Sequence, residues 1–113
     1  MASDLEFVQY VCDQMRGAGT ITHRQMFGEY AVYLGGKVVA LVCDNRLFVK
    51  PTTAGRALLG KPKEKPPYPG AKPHFLIEGQ IDDRDMMTAL MRATDRDLPA
   101  PKPKKPKKGK SSR

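Results

Sequence analysis

Cys12, Cys43, His23 and His74 are the side chains of this 113-residue chain with the widest chemical reach. Thiols and imidazoles can ligate metals, attack carbonyls and move protons near neutral pH. Their spacing points elsewhere. No two of the four lie within the roughly two to five positions usual for structural zinc ligands. Cys12 falls on the apolar stripe of a helical pattern and Cys43 closes a strand pattern, where a free cysteine acts as a small hydrophobe. His23 and His74 are flanked by Arg24 and Pro73 instead of an acid partner. Asp82, Asp83 and Asp85 look like paired carboxylates, but they crowd the start of a helical pattern, where the macrodipole favours negative charge. No nucleophile, base and orienting group stand together. The expectation is a non-enzymatic protein with no metal and no cofactor.

Two glycine motifs are decoys. Gly55-Arg56-Ala57-Leu58-Leu59-Gly60-Lys61 fits seven positions of a phosphate-binding loop, but the eighth, which must carry a hydroxyl, is Pro62. Arg-Ala-Leu-Leu also favours helix over an open cradle of amides. Gly17-Ala18-Gly19 follows a helix instead of a strand and lacks the third glycine of a dinucleotide fingerprint.

The elements that carry these residues are legible from periodicity and turn chemistry. Ser3 with Glu6 forms a capping box, and Leu5, Val8, Cys12 and Met15, widened by Phe7 and Val11, mark a helix over about 4–16 that Gly17 stops. Strand patterns follow at 21–27, 30–34, 38–43 and 46–50. Gly28 marks a turn or bulge, and Gly35-Gly36 and Asp44-Asn45 make two tight turns. Counting outward from those turns opposes Tyr33 to Val38, Ala31 to Ala40, Val42 to Leu47 and Ala40 to Val49. These residues share one almost wholly apolar face with Glu29 at its margin. The other face, with Tyr30, Val32, Leu34, Val39, Leu41 and Phe48, is too apolar to be fully solvated, so both faces are expected to be partly covered. Thr52 or Thr53 caps a short helix that Gly60 ends. Residues 61–73 hold five prolines and read as an extended loop pinned by Tyr68. A strand over 74–78 leads to a last helix capped by Asp82, with Asp85 at the capping-box position. On that helix Met86, Met87 and Met91 read as core filling, whereas exposure of Met87 or Met91 would mark a dimer interface. The expected fold is α+β, two layers, with helices on an antiparallel sheet of about five strands in the order α-β-β-β-β-α-β-α.

Charge divides the chain into residues 1–98 and 99–113. Lys and Arg number 20 against 12 Asp and Glu. Lys102, Lys104, Lys105, Lys107, Lys108, Lys110 and Arg113 place +7 in the last 15 residues, which hold no acid; residues 1–98 carry +1. This Lys/Pro-rich tail cannot bury a core and is expected to be disordered, with a reach of about 45 Å as polyproline II. Such a string suits sequence-independent contact with nucleic acid through phosphates; the alternative is a tail that only adds solubility. No apolar run reaches the ~20 residues of a membrane span, and residues 1–7 lack a basic region followed by an apolar stretch, so a cytoplasmic protein without a membrane partner is expected.

Arg24-Gln25-Met26-Phe27-Gly28, Tyr30 to Leu34 with Gly36, and Leu47-Phe48-Val49-Lys50-Pro51 together resemble the N-terminal domain of the TfoX/Sxy family, bacterial proteins linked to natural competence. Pro66-Pro67-Tyr68-Pro69-Gly70-Ala71-Lys72-Pro73 before Phe75-Leu76-Ile77 resembles a subgroup of short, single-domain members with Lys/Pro-rich ends. The resemblance spans about residues 3–98. It implies a two-layer α+β fold and a regulatory role, since the full-length relatives act with the cyclic-AMP receptor protein to promote transcription of DNA-uptake genes. It supplies no catalytic residue and marks Met26, Phe27, Gly28 and Lys50 as motif positions. A protein partner in transcription regulation and a homodimer are the remaining expectations.

Overall fold

Apolar residues at helical spacing near the N-terminus do form a helix, α1 (Leu5–Met15), with Val8, Val11, Cys12 and Met15 fully buried. The computed structural model describes residues 3–26 and 29–98, so the tail and the motif residues Phe27 and Gly28 lie outside the described residues. The start of α1 differs from expectation. Asp4 occupies the N-cap and its side chain makes no capping bond. The Ser3 hydroxyl is already committed: it donates to Glu29 Oε1 at 2.6 Å and accepts from the Asn45 amide at 3.0 Å. Tertiary partners therefore displace the Ser3–Glu6 capping box. Leu5, expected in the stripe, is 46% exposed. The helix runs on through a 3₁₀ turn (Arg16–Ala18), and Gly19, at φ +148°, makes the break assigned to Gly17.

Six strands form one antiparallel sheet: β1 (Ile21–Met26), β2 (Glu29–Leu34), β3 (Lys37–Cys43), β4 (Arg46–Val49), β5 (Lys63–Lys65) and β6 (His74–Ile77), in spatial order β1-β2-β3-β4-β6-β5. Both tight turns are as expected, with positive φ at Gly35, Gly36, Asp44 and Asn45. β5 lies in the segment expected to be an extended loop. Lys63-Glu64-Lys65 has no apolar alternation to announce it, and its short, charged character suits a sheet edge.

The register contains one irregularity that rearranges both faces. Tyr33 opposes Val38, but Val32 opposes Ala40 and Ala31 opposes Leu41. Val39 is thus the extra residue of a bulge, and its carbonyl accepts from the Lys50 amide at 2.9 Å. Beyond an inserted residue every side chain changes sides. The expected pairing of Ala31 with Ala40 is therefore wrong, and Ala31 and Tyr33 do not share the face of Ala40, Val42, Leu47 and Val49, whose mutual pairings are as expected. Tyr30, Val32, Leu34, Ala40, Val42, Leu47, Val49, Phe75 and Ile77 share the face covered by helices, and Val39 joins that core. Ala31, Leu41, Phe48 and Leu76 line up across the opposite face.

Two further helices complete the covering layer. Thr52 caps α2 (Thr53–Leu59) by accepting from the Gly55 amide, and Gly60 ends it at φ +83°. The glycine-rich decoy is therefore helix across Gly55–Leu59. In α3 (Arg84–Asp97) the cap is Asp83, which accepts from the Met86 amide at 3.1 Å. Asp82 lies in a preceding 3₁₀ turn (Gly79–Asp82) and accepts from the Tyr10 hydroxyl, which moves the cap one residue from its expected place. α3 packs against α1, α2 and β3. Met87 and Met91 are fully buried, so they fill the core and leave no methionine interface there. Lys37 ties the β2–β3 hairpin to the end of α3: its ammonium donates to the carbonyls of Asp95 (2.8 Å) and Leu98 (3.0 Å) and pairs with Asp95 Oδ1 at 3.2 Å. No helix among the described residues is long and apolar enough to cross a membrane.

Candidate binding groove

The face of the sheet away from the helices carries its own small apolar cluster, Cys43, Phe48 and Leu76 with Leu41 packed beside it. Part of that face is roofed by the proline loop. Pro67 is buried while Tyr68 is 56% exposed, so the proline pins the loop, not the tyrosine. Between roof and sheet lies a groove of about 620 Å³. Met26 ends β1 on one side; Glu29 and Tyr30 open β2; Leu41 and Cys43 close β3; Asp44 stands in the turn; Pro67, Tyr68 and Pro69 form the far wall.

A hydrogen-bond network sets its polar end. Glu29 Oε2 accepts from the Asp44 amide at 3.1 Å while its Oε1 accepts from Ser3. Asn45 Oδ1 accepts from the Asp4 amide at 2.7 Å. The residues before α1 are thereby fastened to the β3–β4 turn, and Glu29 and Asp44 are held at the groove. Among the described residues the lining contains these two carboxylates and no Lys, Arg or His. Burial, with a smaller push from the Glu29 charge, raises the Cys43 thiol to about 11, so it stays protonated near neutral pH. A thiol held protonated is a weak nucleophile.

The described motif residues, Met26 and Lys50, do not converge. Met26, 43% exposed, lines the groove. Lys50 is half-buried just after β4, three places away from β1 in the sheet. Its ammonium makes no hydrogen bond or ion pair among the described residues, and its amide serves the bulge. Lys102, Lys104, Lys105, Lys107, Lys108, Lys110 and Arg113 lie outside the described residues. Cys12 and Cys43 belong to clusters on opposite faces of the sheet, which excludes a shared metal or a mutual disulfide. No group of three His, Cys, Asp or Glu among the described residues is placed to hold a metal ion. A second hollow of about 520 Å³ lies where α2 meets the end of α3, lined by Thr52, Arg56, Asp97 and neighbours. There Asp97 Oδ2 already accepts from the Ala54 amide at 2.8 Å and serves the first turn of α2. Sequence reasoning missed the groove residues Leu41, Cys43, Asp44 and Pro67 as a group. The signal within reach was Glu29, the lone acid at the margin of an apolar face.

A 12.7 kDa protein of Spirochaeta aurantia, described as uncharacterized and encoded in the trpE 5′ region, is 41% identical over 107 residues, which span 95% of this chain and 93% of that protein. The TfoX N-terminal domain model matches residues 13–96, from the second half of α1 almost to the end of α3. The chain belongs to the TfoX N-terminal domain family.

Proposed function

We propose that the protein is a non-enzymatic regulatory and interaction module that uses its basic tail to contact nucleic acid without sequence preference. The observation that carries this reading is the segregation of charge: +7 in residues 99–113 against +1 in residues 1–98. A basic string of this kind gains affinity by releasing counterions from phosphates, and the near-neutral body adds little to that term. Membership in the TfoX N-terminal domain family supports a role in transcription regulation, with competence as the process to examine first. The test replaces the six tail lysines and Arg113 by Gln in the full chain and measures binding to duplexes of unrelated sequence over a range of salt. Native protein should bind all duplexes alike, with log K falling against log salt by about 0.9 per phosphate neutralised. The neutralised tail should abolish both binding and slope. Equal binding by the two proteins refutes the reading.

A second reading, a homodimeric protein-binding scaffold with a merely solubilising tail, is favoured by one observation: Met26 and Tyr68 stand exposed beside the groove. With Met87 and Met91 buried, the rim of the groove around Met26 and Tyr68 is the surface available for it. A strict monomer in sedimentation at high concentration removes this alternative.

A further inference from the structure

We propose that the groove between the helix-free sheet face and the proline loop binds a planar, delocalised organic cation carried on an aromatic body. The inference is independent of the tail reading. At about 620 Å³ the groove falls within the range of small-molecule sites, and most of its wall is apolar: Met26, Leu41, Pro67, Tyr68 and Pro69. An apolar wall alone would take any hydrophobe; here it ends on two carboxylates. The Asp44 carboxylate accepts no hydrogen bond among the described residues, while each oxygen of Glu29 accepts one and keeps lone-pair capacity free.

Charge decides the ligand class. An anion meets two carboxylates with no compensating base among the described residues of the lining. A neutral hydrophobe would strip water from Glu29 and Asp44 and return no hydrogen bond. A bare metal ion lacks a third protein ligand. An amidinium or guanidinium matches a carboxylate in two parallel hydrogen bonds, and the faces of Tyr68 and the Met26 thioether accept an aromatic cation on the apolar side. The Asp44 backbone at the groove is fixed, because it sits at φ +55° in a two-residue turn and its amide is held by Glu29.

The same planar cation could arrive free or as an arginine side chain of a protein; the breadth of apolar wall favours the free aromatic form. The experiment titrates the full chain with benzamidine, with its neutral counterpart benzamide, and with N-acetyl-arginine methylamide, following backbone amide shifts by NMR. Benzamidine should shift Leu41, Cys43, Asp44 and Tyr68 saturably, with a dissociation constant on the order of 1 mM, ordinary for so small a fragment. Benzamide should bind about 5–10-fold more weakly. Asp44→Asn keeps a residue tolerant of positive φ and should reduce benzamidine to the level of benzamide. Tyr68→Leu, at an exposed site, should weaken benzamidine a few-fold and benzamide by less. Equal binding of benzamidine and benzamide, or shifts that miss these residues, overturns the proposal. Tighter binding of the arginine derivative than of benzamidine overturns the assignment to a free aromatic ligand.

Discussion

Lys37 offers a sharp test of how the helix layer is locked to the sheet. Replacement by Met keeps the aliphatic stem and removes three contacts at once, two to the terminal carbonyls of α3 and one to the Asp95 carboxylate. Hydrogen bonds to charged groups contribute about 1.5–3 kcal/mol, and a cation at a helix C-terminus adds about 0.3–1 kcal/mol. The carbonyls freed by the mutation belong to half-buried residues that water partly reaches, so the loss falls toward the lower end, at about 2 kcal/mol. For a body of this size that lowers Tm by roughly 10 °C. The matched control is Lys63→Met. Lys63 also pairs with a carboxylate, Glu78 at 3.2 Å, but its side chain is 74% exposed against 19% for Lys37. Exposed pairs are screened and entropically costly to hold, so this change should stay under about 1 kcal/mol. Urea melts of both variants, each at low and high salt, make the comparison. If Lys37→Met costs no more than Lys63→Met, burial does not set the strength of these contacts and the lock described between hairpin and α3 is wrong.

Two further outcomes follow from the packing. Gly55→Ala gains about 1 kcal/mol on helix propensity alone, but the new Cβ would lie 2.8 Å from the Thr52 capping oxygen, 3.4 Å from Phe75 and 3.5 Å from Leu90; net destabilisation of about 1 kcal/mol in a denaturant melt is expected, and a stabilised variant contradicts the packing of α2 on α3. The native Cys43 thiol ionises near 11 against an ordinary 9.0, so between those values the unfolded chain has released a proton that the native state retains. Stability should therefore fall as pH rises through this window, by up to about 1.4 kcal/mol per pH unit, and Cys43→Ala should flatten that part of the profile; an unchanged slope shows that Cys43 is not responsible.

Much of the fold was legible because much of it is decided locally. Gly35-Gly36 and Asp44-Asn45 adopt the positive φ that two-residue hairpins demand, and the flanking strands follow. Thr52 and Gly60 bound α2 by torsion and hydroxyl placement within a few residues. The apolar stripes of α1 and α3 predict which residues face the core, apart from Leu5 at the first position of α1. Each of these preferences needs information from one turn of chain, and no distant group competes for it.

Competition over long separations decided the rest. The Ser3 hydroxyl suits a cap, yet Glu29 and Asn45, 26 and 42 residues away, take it. The bulge at Val39 arises in the pairing of two strands, so no pattern within β3 announces it, and it reverses the sides of the residues beyond it. Lys63-Glu64-Lys65 becomes a strand only because β6 presents an open edge. The groove is the sum of such outcomes: its wall comes from β1, β2, β3, a turn and a proline loop, which meet only once register and roof are set. Sequence determined the torsions and the charge division of this protein; the tertiary structure decided which face is open and what lines it, because side-chain partners are chosen by proximity in space.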